Sequence, residues 1–177
     1  MAATKETPRM VLIEDTRQQS GKHRNVKAYC DRHGIDLVRK KLDVGDYMVP
    51  CGTVSIDTKQ SMGEVYCNLI TDHDRFRREC VRAKESGIQL VVLVEEASIT
   101  SLEDVKEWVN PRVVQWDWAV EHGYKPMGKA PPISSKRLYG IMRTMTENYG
   151  VQWEFCHKNS TGKRIVEILT EVPNETG

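Results

Sequence analysis

From Val44 to Lys59 the chain reads VGDYMVPCGTVSIDTK, and the fold is read outward from this stretch. Pro50-Cys51-Gly52 is a turn signal. The runs on either side, Tyr47–Val49 and Thr53–Lys59, then read as the two strands of a hairpin. Side chains on a strand alternate between its faces. Val54 and Ile56 therefore share one face and suit a core. Ser55, Asp57 and Lys59 share the other, which sets a carboxylate beside an ammonium in a cleft. Asp46 stands just before the first strand of the hairpin, close enough to join them.

That set of groups suits phosphodiester hydrolysis. Two carboxylates offer the oxygen ligands that a hard divalent cation prefers, so Mg2+ or Mn2+ is the expected cofactor. A lysine beside them can stabilise developing negative charge or position the attacking water. Asp46 and Asp57 are the candidate metal ligands, and with Lys59 they are the candidate catalytic residues. Asp15, at the end of an earlier strand, and Glu64, in the helix that follows, are candidate supporting acids. A plainer reading also exists: Asp57 and Lys59 could face solvent from an edge strand, with Asp46 a turn residue.

The rest of the chain alternates strands with helices. Arg9–Ile13 is an apolar run closed by Glu14-Asp15-Thr16 and reads as a buried strand. Lys22–His33 has helical spacing and stops at Gly34. Ile35–Leu42 is a second strand. Helices follow over Ser61 to Thr71 and over Asp74–Ser86. Ile88–Val94 (IQLVVLV) is apolar on both faces, as a buried strand should be. Ser101-Leu102-Glu103-Asp104 begins a short helix. Asn110–Pro132, with prolines at 126, 131 and 132, reads as irregular. Ser134–Tyr149 places Leu138, Ile141, Met142 and Met145 on one helical stripe. Val151–Phe155 alternates as a strand, and Thr161–Leu169 closes as a helix. The fold class is α/β, a mixed sheet flanked by helices. The expected organisation is one domain over residues 9–172, with disordered tails at 1–8 and 173–177.

Composition is that of a globular domain. The 177 residues are 39% hydrophobic and 29% charged, with a net charge of +1. No apolar run approaches the roughly 18 residues that span a bilayer, and MAATKETPR lacks the apolar core of a signal peptide. An intracellular, cytoplasmic protein with no membrane contact is expected. The five scattered cysteines form no CxxC pair and read as free thiols. A charge near neutrality leaves any nucleic-acid patch local.

Several motifs in order resemble a known family. They are Glu14-Asp15-Thr16-Arg17, Val44-Gly45-Asp46-Tyr47, Ser55-Ile56-Asp57-Thr58-Lys59, Asp74-Arg75-Phe76-Arg77-Arg78-Glu79 and Leu90 to Glu95. Together they resemble the XPF-type (ERCC4-domain) nucleases of the PD-(D/E)XK superfamily, over about Met10 to Glu96. The resemblance implies a restriction-endonuclease-like sheet, with residues 9–96 as the nuclease core and 97–172 as a C-terminal extension. It also implies a magnesium- or manganese-dependent DNA endonuclease, selective for flap, fork or junction DNA and dimeric in many members. Such an enzyme acts in DNA repair or recombination. Four positions depart from the family pattern, one of them Asp57, which keeps the carboxylate where the family signature has glutamate. Thr58 stands where the family has arginine, Gln18 where it often has glutamate, and Gly63 where an aspartate often follows the lysine. In some members the metal ligands are lost, so a catalytically silent DNA-binding module on the same fold is the alternative reading.

The predicted helix over Asp74–Ser86 carries Arg75, Arg78, Arg82 and Lys84. With Arg17 they are the candidate DNA-phosphate contacts. The other reading is a solvated face paired with Glu79 and Glu85. Glu79 is a further supporting acid. Trp108, Trp116 and Trp118 could stack on bases, but core packing is the expectation. Ser160-Thr161-Gly162-Lys163 lacks the glycine and serine pattern of a phosphate loop and reads as a helix cap.

Overall fold

The computed structural model describes residues 9–18 and 24–171, so the expected tails lie outside the described residues. Six strands form one mixed sheet. They are β1 (Val11–Glu14), β2 (Asp36–Arg39), β3 (Tyr47–Met48), β4 (Val54–Lys59), β5 (Gln89–Glu95) and β6 (Gln152–Cys156). Their spatial order is β2-β1-β3-β4-β5-β6. The pairs β1/β2, β4/β5 and β5/β6 are parallel, while β3 runs antiparallel to both β1 and β4. β4 is thus interior, between β3 and β5, which removes the edge-strand reading of Asp57 and Lys59.

The helices are α1 (Arg24–His33), α2 (Met62–Tyr66), α3 (His73–Glu85), α4 (Pro111–Glu121), α5 (Ser135–Tyr149) and α6 (Thr161–Thr170). They cover both faces of the sheet, as parallel strands require. On one face, Val65 of α2, Phe76 and Cys80 of α3, and Leu138 and Met142 of α5 pack with Leu90, Val92 and Val94 of β5. On the other face, Val26 and Cys30 of α1 and Ile165 and Ile168 of α6 pack with Leu12, Tyr47, Ile56, Val91 and Leu93. β5 feeds both cores, as its unbroken apolar run required. β6 and α6 come from the C-terminal part of the chain and complete the same sheet and core.

Beyond shifts of one or two residues at their ends, several elements differ from expectation. The second expected strand closes at Arg39, and 40–46 form a loop. The helix expected to run to Thr71 is α2 followed by a π-helical turn, Cys67–Thr71. Asn110–Pro132 is not irregular throughout, because it contains α4. Asn110 caps that helix, its side chain accepting from the Arg112 amide at 3.0 Å, and Pro111 opens it. Proline is tolerated at the first helical position, where its missing N–H has no helical partner. The start at Ser101 is a 3-10 turn, Leu102–Glu107, with a capping box between Ser101 and Asp104. All five cysteines are free thiols. Among the described residues no helix is long and apolar enough to cross a membrane.

Candidate active site

A cleft of about 450 Å³ opens where β1, β4, α2 and α3 meet. Asp15, Arg17, Asp46, Asp57, Lys59, Glu64, Arg75, Arg78, Glu79 and Arg82 all line it. The hairpin turn, the strand alternation and the α3 stripe thus converge on one place. Asp57 and Lys59 project from the same face of β4, as period two demands. Lys59 Nζ lies 2.7 Å from Asp57 Oδ2 and donates to Oδ1 at 3.0 Å. Both residues are nearly enclosed, at 5% and 7% exposure. The Lys59 ammonium also sits 5.9 Å from the centre of the Phe76 ring.

Asp46 is fixed by its backbone and its side chain. Its amide donates to Ile56 O at 2.7 Å, and its carbonyl accepts from the Asp15 amide at 2.8 Å. Its Oδ2 accepts from the Thr58 amide at 2.8 Å and from the Thr58 hydroxyl at 2.7 Å. Gly45 makes this placement possible. Its φ is +71°, and a Cβ there would lie 2.3 Å from Ser55 Oγ. Burial first, then the charge of Asp57, pushes the Asp46 carboxyl up to about 7.

The three supporting acids do different things. Asp15 is buried and accepts from the Arg17 amide at 2.7 Å, from the Arg17 guanidinium and from the Leu42 amide. Burial pushes its carboxyl up, but the bonds and charge of Arg17 together outweigh this and hold it below the usual carboxylate range. It tethers Arg17 at the cleft. Glu79 accepts from the Gly45 amide at 2.9 Å and so braces the turn that carries Asp46. Burial and the charge of Asp57 push its carboxyl up. Glu64 accepts from the Gln60 amide at 2.8 Å, at the start of α2.

The basic face of α3 is mostly as expected. Arg75, Arg78 and Arg82 line the cleft, and neither Arg78 nor Arg82 makes an ion pair with a described residue. Lys84 does not belong with them. Two residues beyond Arg82 is about 200° around a helix, so its side chain leaves the cleft. Its ammonium donates to Asn148 O at 2.8 Å, against the end of α5. Sequence reasoning also missed Asn68, Thr58 and Gln18 as cleft residues. Gln18 and Thr58 stand out in the sequence only as departures from a family pattern, and Asn68 gives no signal. Trp118, expected in a core, is 53% exposed, while Trp108 is partly buried against the core.

The cleft fits a hard cation. Its lining includes no histidine or cysteine, so every anionic donor is a carboxylate oxygen. Asp57 Oδ2 is buried and has no hydrogen-bond partner beyond its ion pair with Lys59. Asp46, Asp57 and Glu79 set three carboxyl groups around one lysine, and a bound cation would favour their ionised forms. Among the described residues no three His, Cys, Asp or Glu side chains form a ready-made cage. Magnesium is commonly held by one or two carboxylates, with water and substrate phosphate completing its shell, and Asp46 and Asp57 offer that donor set.

A mixed α/β sheet with an acid–lysine cleft at its centre defines a nuclease-like fold. The chain belongs to the ERCC4 domain family, whose model matches residues 14–168. The match runs well past Glu96, where the motif resemblance ends, and takes in β6 and most of α6. The structure is similar to XPF from Aeropyrum pernix, with a TM-score of 0.59 and 15% identity over 90% of this chain and 63% of that one. It is equally similar to XPF from Aeropyrum pernix in complex with DNA, with a TM-score of 0.59 and 15% identity over 91% of this chain and 64% of that one. The chain thus spans a little under two thirds of those structures. At that identity the likeness establishes the fold. No curated protein matches the chain. Membership of the ERCC4 domain family supports a nuclease or DNA-binding role.

Proposed function

We propose that the protein is a divalent-metal-dependent DNA endonuclease that hydrolyses phosphodiester bonds, with branched DNA preferred over plain duplex. The observation that carries this reading is the meeting of Asp46, Asp57 and Lys59 in one cleft beneath the arginines of α3. Asp46 and Asp57 would hold Mg2+ or Mn2+. When bound, the cation would supply Lewis-acid polarisation of a phosphoryl group and a lower pKa for water. Lys59, fixed against Asp57 by short contacts, sets positive charge where the phosphoryl oxygens gain negative charge. Its enclosure strengthens that interaction, because water screens it less. Arg17, Arg75, Arg78 and Arg82 rim the cleft and would grip backbone phosphates on either side of the scissile bond. Asp15 and Glu79 hold Arg17 and Gly45 in place and are positioning residues.

The test is cleavage by the purified chain of a panel of flap, fork, junction and duplex DNA. Cutting should occur with Mg2+ or Mn2+, fail with Ca2+ and stop in EDTA. Calcium is larger and looser and acidifies water poorly. Robust cutting in excess EDTA would overturn the mechanism. Binding without cutting in every metal would identify a silent DNA-binding module.

A further inference from the structure

Thr58 lies on the strand face opposite Asp57, beside Ile56, and is buried. Nothing in the chemistry above uses it. Yet both of its donors point at one atom. Its amide and its hydroxyl donate to Asp46 Oδ2, at 2.8 and 2.7 Å. The reason is the end of the β3 ladder. Tyr47 pairs with Ile56, and β3 stops there, so the Thr58 amide has no residue of β3 opposite it. The Asp46 side chain turns back and takes the place of a strand carbonyl. With Asp46 N–H on Ile56 O, β4 holds Asp46 at three points.

A hydroxyl has one proton to give. Thr58 gives it to Asp46 and accepts from Gln18 Nε2 at 3.4 Å. Gln18 is at the cleft, so hydrogen bonds are donated from Gln18 to Thr58 and from Thr58 to Asp46. Positions 18 and 58 are two of the four at which the sequence departs from the pattern it resembles. They are far apart in sequence and touch in the fold.

We propose that Thr58 is a positioning residue for metal binding: it holds Asp46 Oδ2 so that Oδ1 is presented to a divalent cation shared with Asp57, and Gln18 sets the direction of its hydroxyl. Two bonds to one oxygen fix the rotation of the carboxylate, and among the described residues the other oxygen takes no hydrogen bond. Partners behind a ligand tune metal affinity in this way, and losing one commonly weakens binding by about 10–100-fold. Valine in place of threonine keeps the branched shape and the strand propensity and removes only the hydroxyl.

The inference rests on the proposed metal site, and direct Mn2+ binding tests both without any DNA. The free Mn2+ signal in electron paramagnetic resonance gives the dissociation constant for the full chain and its variants. Thr58→Val should weaken Mn2+ binding by about tenfold. Thr58→Ser should stay within about twofold of wild type, because it restores the donor. Gln18→Leu should weaken binding by a smaller factor, and it decides the matter if the valine variant fails to fold. Melting temperatures report folding in each case. Wild-type affinity in both Thr58→Val and Gln18→Leu, or a serine variant as weak as valine, would overturn the role of the hydroxyl. Absence of Mn2+ binding by the wild type itself would instead overturn the metal reading of the cleft.

Discussion

Around β4 the protein buries charge; along α4 it exposes oil. Asp57, Lys59 and Asp15 are enclosed, whereas Val114, Trp118 and Val120 are 53%, 53% and 58% exposed. Each region reverses the usual partition of residues between core and surface. The reversals differ physically. Each buried or half-buried charge around β4 is tied to a neighbour. Lys59 meets Asp57, Asp46 meets Thr58, Glu79 meets Gly45 and Asp15 meets Arg17. Such ties offset desolvation without turning it into a large gain, so the arrangement contributes little to stability and speaks for chemistry. On α4 no side chain is buried. The helix is held by its capped start, by Asn110 Nδ2 donating to Ile133 O at 3.2 Å, and by Arg112 over the Tyr66 ring at 5.1 Å. Substitutions at β4 should therefore strike function or backbone geometry, and substitutions on α4 should be nearly silent in folding.

The largest expected effect is at Asp57. Asp57→Asn keeps shape and should lower cleavage by on the order of a thousandfold or more. It should leave the melting temperature within about 5 °C of wild type, because it removes a negative neighbour of Asp46 and Glu79 while Lys59 loses its partner. Cleavage assays and calorimetry together decide the outcome. Collapse of folding would make Asp57 structural and erase the contrast with α4.

Next come two glycines of positive φ. Gly45→Ala drives a Cβ to 2.9 Å from Ile56 O as well as into Ser55. Strain and clash together should cost about 2–3 kcal/mol in urea unfolding. Gly123, just past α4, has φ +73°, but a Cβ added there would meet nothing within 4 Å. Gly123→Ala should cost only about 1 kcal/mol, the conformational penalty alone. Equal costs at the two sites would show that close approach at Gly45 does not matter.

Acidity gives a third comparison, in metal-free protein with EDTA present. Asp46 titrates near 7 in the folded state, well above the usual carboxylate range, and Glu79 is raised too. Between the unfolded value and about 7 the folded chain binds more protons than the unfolded one. Stability from these groups is thus fully present below the unfolded value and is lost as pH rises through 7. The melting temperature should rise as pH falls from 8 to about 6. Asp46→Asn should flatten that slope, while Asp117→Asn on α4 should leave it alone. A wild-type slope of the opposite sign would mean that Asp46 is not the dominant titrating group.

The contrast also shows what the sequence reveals. Period-two alternation on Val54–Lys59 and the Pro-Cys-Gly turn put Asp46, Asp57 and Lys59 together before any coordinates, because hairpins are local. The IQLVVLV run announced a strand buried on both faces. The α3 stripe gave three arginines and Glu79, but Lys84 required counting degrees around the helix. Thr58 was legible as a strand residue and illegible as a partner of Asp46, since that contact depends on where β3 ends. α4 was missed because its apolar residues follow no stripe and prolines crowd the segment, so only the Asn110-Pro111 start carried a signal.

The smallest effect tests the other side of the comparison. Val114 is exposed on α4, and alanine has the higher helix propensity there. Val114→Ala should be neutral or stabilising by a few tenths of a kcal/mol. Ile56→Ala, on the core face of β4 with no exposure, should cost about 2–5 kcal/mol from lost contacts and the cavity left behind. Trp118→Ala lies between, because it gives up the stacking of the indole on Tyr124 at 5.5 Å and on His122 at 4.4 Å. Such pairs are worth about 0.5–1.5 kcal/mol, less where water can replace the contact. Urea unfolding of the three variants side by side reads all of this. A loss above about 1 kcal/mol for Val114→Ala would mean that the apolar face of α4 is covered in solution, because an exposed valine has no cavity to leave.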